Sequence, residues 1–140
     1  MWVIQMANAI SKRPPCIAIV EDSEAVRRSL SLLLLARGYA ASGFESGEAL
    51  LSSPSRNLFD FLLIDFKLDG VSGTDLLRKL RKDGVTTPAV LISGWEGKEL
   101  EKEASSAGFM SLVRKPMLEH HLFSVIASVL GPRAAAPTGS

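Results

Sequence analysis

Four apolar runs in this chain of 140 residues end in side chains able to handle charge. Glu21 and Asp22 follow CIAIV, Asp65 closes FLLID, Ser93 follows AVLI, and Lys115 follows SLVR. Taken singly, each has an ordinary use: Asp22 can cap a helix, Ser93 can start a turn, and Lys115 can be a solvated lysine before Pro116. Gathered at one rim, two or three carboxylates repel one another, which costs stability unless a cation sits among them or their pKa values rise. Oxygen donors with partial hydration suit Mg²⁺ better than zinc. No cluster of Cys and His competes, because His120 and His121 are adjacent and on a helix would point in different directions. The set therefore reads as an acid pocket for Mg²⁺. A lysine and a hydroxyl beside it would hold an anion at the metal, and a phosphoryl group fits, with Asp65 as the nucleophile that accepts it as an acyl phosphate.

Such a pocket requires elements that end together. The unbroken runs Cys16 to Val20 and Phe61 to Asp65 have the pattern of strands buried on both faces. After Ser23, the residues Val26, Leu30, Leu33 and Leu34 recur at helical spacing until Gly38 stops the helix. Tyr39 to Phe44 is a weaker strand containing Gly43, and Ser46 with Glu48 opens a short helix, Ala49 to Leu51, before Pro54. Ser72 and Asp75 form a capping-box-like start for a helix with Leu76, Leu77 and Leu80 on its apolar side. The run Ala89 to Ile92, a charged helix from about Glu96 to Ala107, the strand Ser111 to Arg114 and a last helix bearing Leu118, Leu122, Val125, Ile126 and Val129 complete the chain. Strand and helix alternate five times, which argues for an α/β fold with a parallel sheet and helices on both faces. In a doubly wound sheet the carboxyl ends of the first and third strands meet, bringing Asp22 to Asp65.

Composition narrows the partners. A hydrophobic fraction of 46%, a charged fraction of 22% and a net charge of +1 suit one globular domain and supply no field for nucleic acid or an anionic membrane. The single cysteine, Cys16, fits a packing role and a reducing compartment, so the cytoplasm is expected. MWVIQMANAI is too short to span a bilayer and has no leading basic residues. Residues 1–14 are expected to be an N-terminal extension, with Met6 as an alternative start, 15–131 the folded domain, and 132–140 a disordered tail or linker stub. The leucine run Leu32 to Leu35 is more apolar than one helix face needs, and a homodimer interface is one use for it.

From about Ile17 to Leu130 the ordered set Glu21 and Asp22, Asp65, Ser93, Lys115 and Pro116 resembles the receiver domains of two-component response regulators. The resemblance implies a doubly wound, flavodoxin-like (βα)5 fold with strand order 2-1-3-4-5. It implies Mg²⁺ bound by Asp22, Asp65 and the main-chain carbonyl of Lys67, with Glu21 reached through metal-bound water. It implies a phosphoryl group taken from a sensor histidine kinase or phosphotransfer protein onto Asp65. Ser93, the amide of Gly94 and Lys115 would hold its oxygens, and the Lys115 to Pro116 peptide would be cis. Such a domain signals by conformational change and catalyses its own phosphorylation and dephosphorylation, without being an enzyme in the usual sense. No DNA-binding output domain fits in this length, so either a stand-alone regulator or a piece of a longer regulator or hybrid kinase is expected.

Departures from the family pattern are also visible. Asp69 stands where proline is usual, Leu112 where many members carry Tyr or Phe, and Gly94 where alanine is common. Lys67 and Trp95 match two positions that tune phosphoryl lifetime. Two rival readings use the same residues: a degenerate receiver that binds partners without phosphorylation, and a Mg²⁺-dependent phosphohydrolase with an aspartyl-phosphate intermediate. Haloacid-dehalogenase-like enzymes of the second kind usually place another Asp where this chain has Lys67, which weighs against it.

Overall fold

The structure, a computed structural model, describes residues 13–94, 97–117 and 119–131. Five strands, β1 (Cys16–Val20), β2 (Ala40–Phe44), β3 (Phe61–Asp65), β4 (Ala89–Ser93) and β5 (Ser111–Arg114), alternate with helices. These are α1 (Glu24–Ala36), α2 (Gly47–Leu51), α3 (Gly73–Lys82), α4 (Lys98–Ala107) and α5 (Glu119–Leu130). The strands form one parallel sheet in the order β2-β1-β3-β4-β5. This is the parallel sheet with helices on both faces expected from the alternation, in the doubly wound order that the resemblance implies.

Side chains alternate across each strand, so every central strand feeds two cores. Ala18, Val20, Leu62, Ile64 and Leu91 point to the side covered by α2, α3 and α4, against Leu50, Leu76, Leu80 and Leu100. Ile17, Ile19, Leu63, Val90 and Ile92 point to the other side, against Leu30 and Leu34 of α1 and Leu122, Phe123 and Ile126 of α5. Within the leucine run, Leu34 is fully buried while Leu32 and Leu35 remain exposed. Arg37 adds a clasp between α1 and α5, its guanidinium 4.2 Å from the centre of the Phe123 ring.

Serine starts three of the helices. The hydroxyls of Ser23, Ser46 and Ser72 accept the main-chain N–H of Val26 (3.3 Å), Ala49 (3.1 Å) and Asp75 (3.2 Å), each satisfying an orphan donor of a first turn. The second helix begins at Gly47, two residues before the expected Ala49, because the cap is Ser46 itself. The fourth begins at Lys98 after Gly97, which has no side chain to cap it; Trp95 and Glu96 lie outside the described residues, as do Leu118, residues 1–12 and the tail from 132. Gly108 ends that helix in a left-handed conformation, φ 108°.

Register delivers the functional groups to one rim. Val20 of β1 pairs with Ile64 of β3, so Glu21 and Asp65 emerge side by side one step later. Asp65 pairs with Ile92, which places Ser93 next along, and Ser93 pairs with Arg114, which places Lys115 next. The Lys115 N–H donates to the Ser93 carbonyl at 2.8 Å, extending the ladder onto the rim itself.

The start of α3 is pressed against this rim. The Gly73 N–H donates to the Phe66 carbonyl at 3.0 Å. A Cβ on Gly73 would collide with the Asp65 carbonyl oxygen and meet Leu91 Cδ1 and the Phe66 Cα at 3.0 Å. In an open helix Gly to Ala gains about 1 kcal/mol, but a collision with backbone cannot be relieved by a rotamer change. Gly73→Ala is therefore expected to lower stability by about 1 to 3 kcal/mol, read from urea denaturation. A stabilised variant would show that this packing is looser than described.

Candidate functional site

Glu21, Asp65 and Ser93 are all buried, whereas Asp22 projects into solvent. Lys115 reaches across the rim and donates from Nζ to Asp65 Oδ2 at 3.2 Å and to Glu21 Oε1 at 3.3 Å. The other Asp65 oxygen, Oδ1, accepts from the Lys67 N–H at 3.4 Å. Glu21 Oε2 is buried and has no hydrogen-bond partner among the described residues. An unpartnered carboxylate oxygen in such a place is costly, and one remedy is to stay protonated. Accordingly, burial first, then the adjacent Asp65 carboxylate, push the Glu21 carboxyl up to about 7, with Lys115 pulling the other way. Burial draws the Lys115 ammonium down, but Asp65 and Glu21 together outweigh it and the net shift is upward.

One ligand oxygen each from Glu21, Asp22 and Asp65 lie within 4.8 Å of one another. An all-oxygen donor set with an orphaned buried oxygen fits a hard divalent cation, which would satisfy Glu21 Oε2 and offset the repulsion. The three acids open into a cleft of about 660 Å³ that Lys67, Asp69, Ser93, Gly94 and Lys115 also line. Asp69 thus adds a fourth carboxylate to the walls. The Lys115 to Pro116 peptide is cis. Among the described residues, a Cβ at Gly94 would meet Lys115 Cβ at 3.9 Å and Cδ at 4.0 Å, ordinary contact distances. Leu112 is half-buried and packs against the core on the side of α3 and α4. His120 and His121 are exposed on α5, away from any metal-binding group of the described residues.

Several supporting contacts were not visible in the residue pattern. Arg27 Nη1 donates to the main-chain carbonyls of Glu21 at 2.7 Å and Asp22 at 3.4 Å. Glu48 Oε2 accepts the Val71 N–H at 3.1 Å, tying α2 to the loop after Asp65, and its carboxylate lies against Gly70, whose φ of +80° strains any residue but glycine. Thr74, fully buried in the first turn of α3, donates to Glu103 Oε1 of α4 at 2.8 Å. Arg27 sits five residues after Asp22, a spacing that lets a helical arginine reach back to the preceding loop. The other pairs are separated by 23 and 29 positions and leave no local signal.

A five-stranded 2-1-3-4-5 sheet with three acids, a serine and a lysine at one rim is the arrangement that the resemblance to receiver domains implies, and family comparison agrees. The family model described as response regulator receiver domain matches residues 17–127, and the chain belongs to that family, a signalling class of two-component systems. Among particular relatives, it is 30% identical over 121 residues to the response regulator protein TodT of Pseudomonas putida, covering 86% of this chain and 53% of that protein. It is 32% identical over 100 residues to the transcriptional regulatory protein FixJ of Rhizobium meliloti, covering 71% and 49%. The chain spans about half the length of the curated relatives it matches. Among solved structures, a CheY-like receiver domain protein from Methanospirillum hungatei is similar with a TM-score of 0.76 at 25% identity, over 82% of this chain and 92% of that one. The chemotaxis protein CheY4 of Vibrio cholerae shares the fold at a TM-score of 0.77 and 20% identity, over 83% and 98%. Among the described residues no helix is long and apolar enough to cross a membrane.

Proposed function

We propose that Asp65 accepts a phosphoryl group from a phosphohistidine on a sensor kinase or phosphotransfer protein, within a domain spanning residues 15–131 that acts in the cytoplasm. The observation that carries this reading is the placement of Asp65 at the head of the cleft, with Lys115 bound to one carboxylate oxygen and Asp22 and Glu21 beside it. Asp22, Asp65 and the carbonyl of Lys67 would hold Mg²⁺, with Glu21 acting through water, and the ion when bound would neutralise the phosphoryl oxygens.

The chain's own residues then have separable tasks. An Asp65 oxygen attacks phosphorus in line with the departing imidazole; the P–N bond breaks as the O–P bond forms, and its electrons leave with the imidazole nitrogen. Lys115, held at the rim by its backbone bond to Ser93, offers an ammonium to the transferred group. Ser93 and the amide of Gly94 supply neutral donors to the remaining oxygens. Because these groups belong to the receiver, a small phosphodonor should serve as well as a kinase, and hydrolysis of the acyl phosphate should proceed at the same site. Lys67 and Trp95, the latter outside the described residues, are the side chains assigned to setting how long it lasts.

Incubation with acetyl phosphate and Mg²⁺, followed by intact mass measurement, tests this reading. Wild type is expected to gain one alkali-labile phosphoryl group and Asp65→Asn none. Absence of an adduct on folded wild type would refute the proposal, and an adduct on Asp65→Asn would move the acceptor elsewhere.

A further inference from the structure

The cation nearest in sequence to the acid pair makes no ion pair with either acid. Arg27, one turn into α1, sends its side chain back toward the edge strand β2 and binds peptide carbonyls: Glu21 at 2.7 Å and Asp22 at 3.4 Å. Its stem crosses β2 at Gly43, where a Cβ would come within 3.1 Å of Arg27 Cδ and 3.2 Å of Cγ. Glycine there looks like a defect in a strand, since it packs nothing and costs entropy. Seen with Arg27 it is a notch. From the strand side, the Glu21 N–H donates to the Phe44 carbonyl at 3.0 Å. The segment bearing both acids is thus held from two directions, and fixing its peptide planes fixes where the Glu21 and Asp22 side chains leave the backbone.

An arginine in this position has two effects of opposite sign on a divalent cation bound by those acids. Its charge repels the cation, while its grip removes the cost of ordering the ligand loop. The guanidinium takes only carbonyls and so does not itself occupy the carboxylate oxygens. We infer that the grip outweighs the repulsion, so that Arg27, seated in the Gly43 notch, is a positioning residue for the Glu21 and Asp22 carboxylates. This rests on the reading that Glu21, Asp22 and Asp65 hold a divalent ion.

The test is a titration with Mn²⁺ followed by electron paramagnetic resonance, with Mg²⁺ as competitor, on proteins whose melting temperatures are measured without metal. Arg27→Ala is expected to bind Mn²⁺ about tenfold more weakly than wild type, although it removes a positive charge, and Arg27→Lys to recover part of the loss. Gly43→Val keeps the arginine and improves strand propensity. It is expected to weaken binding in the same direction with a melting temperature no lower than wild type, which a general loss of structure would not produce. If wild type itself fails to bind Mn²⁺, the metal reading fails and this inference with it. If wild type binds and Arg27→Ala binds equally well or more tightly, or Gly43→Val leaves affinity unchanged, the positioning role alone is overturned.

Discussion

With Lys115 replaced by methionine, phosphorylation of Asp65 by acetyl phosphate is expected to slow about a hundredfold or more, the usual consequence of losing a preorganised donor to developing charge. Divalent-ion binding should move the other way. Lys115 Nζ lies 3.2 Å from Asp65 and 3.3 Å from Glu21, where it competes electrostatically with any cation among the acids. Removing it leaves more negative charge in a buried setting, so the metal binds at least as tightly while transfer fails. A titration with Mg²⁺ and an initial rate of adduct formation measure the two separately. If the variant is phosphorylated at the wild-type rate, Lys115 does not touch the transferred group. Without metal, the same substitution removes the one influence that lowers the Glu21 pKa, leaving burial and Asp65 to hold it still higher.

Glu21→Gln is expected to make the metal-free protein more stable above neutral pH and a poorer cation site. In the fold Glu21 keeps its proton up to about pH 7, against an ordinary value of 4.5. Between these values the native state binds more protons than the unfolded chain, so stability falls as pH rises through that window. The deficit is absent below the lower value, complete above the upper one, and about 3 kcal/mol at most. A neutral amide has no proton to lose, and its NH₂ can donate to Asp65. At about pH 8 in chelator the variant should therefore exceed wild type by about 1 to 3 kcal/mol, with the two converging near pH 4.5. Urea denaturation at both pH values checks this. Excess Mg²⁺ should narrow or reverse the order, because it stabilises only the form that binds it. A variant less stable than wild type at pH 8 in chelator would mean that Glu21 is paired in a way the geometry does not include.

The difference between the acids explains what could be read in advance. Strand ends were legible because each apolar run stops at a charged or hydroxyl group, and in a parallel sheet those stops share one rim. All five strands lie within a residue of their expected limits. The weaker β2 carries small residues at Ala40 to Gly43 before Phe44, and its reason for glycine is a side chain on another element. Glu21 and Asp22 are neighbours with no distinguishing pattern, yet one is buried with an orphaned oxygen and the other exposed. That distinction is made by α1 leaving the rim immediately after Asp22, capped at Ser23, and by Lys115 arriving from 94 positions away. Long-range partners set pKa values, and they leave no trace in local spacing.

The bond from Glu48 to Val71 has a consequence for how the rim opens. A helix of five residues such as α2 cannot sustain itself in isolation. It borrows order from buried Leu50, from the Ser46 cap and from the loop that Glu48 grips, and a Cβ on its Gly47 would collide with Val71 of that loop. The dependence runs both ways. When the loop lifts, α2 loses a tether, and when α2 frays, the loop loses the acceptor for its amide. Segments 47–51 and 66–72 are therefore expected to open together, with matching hydrogen-exchange protection. The part of the rim bearing Lys67 and Asp69 thus owes its lifetime to a helix from outside the ring of site residues.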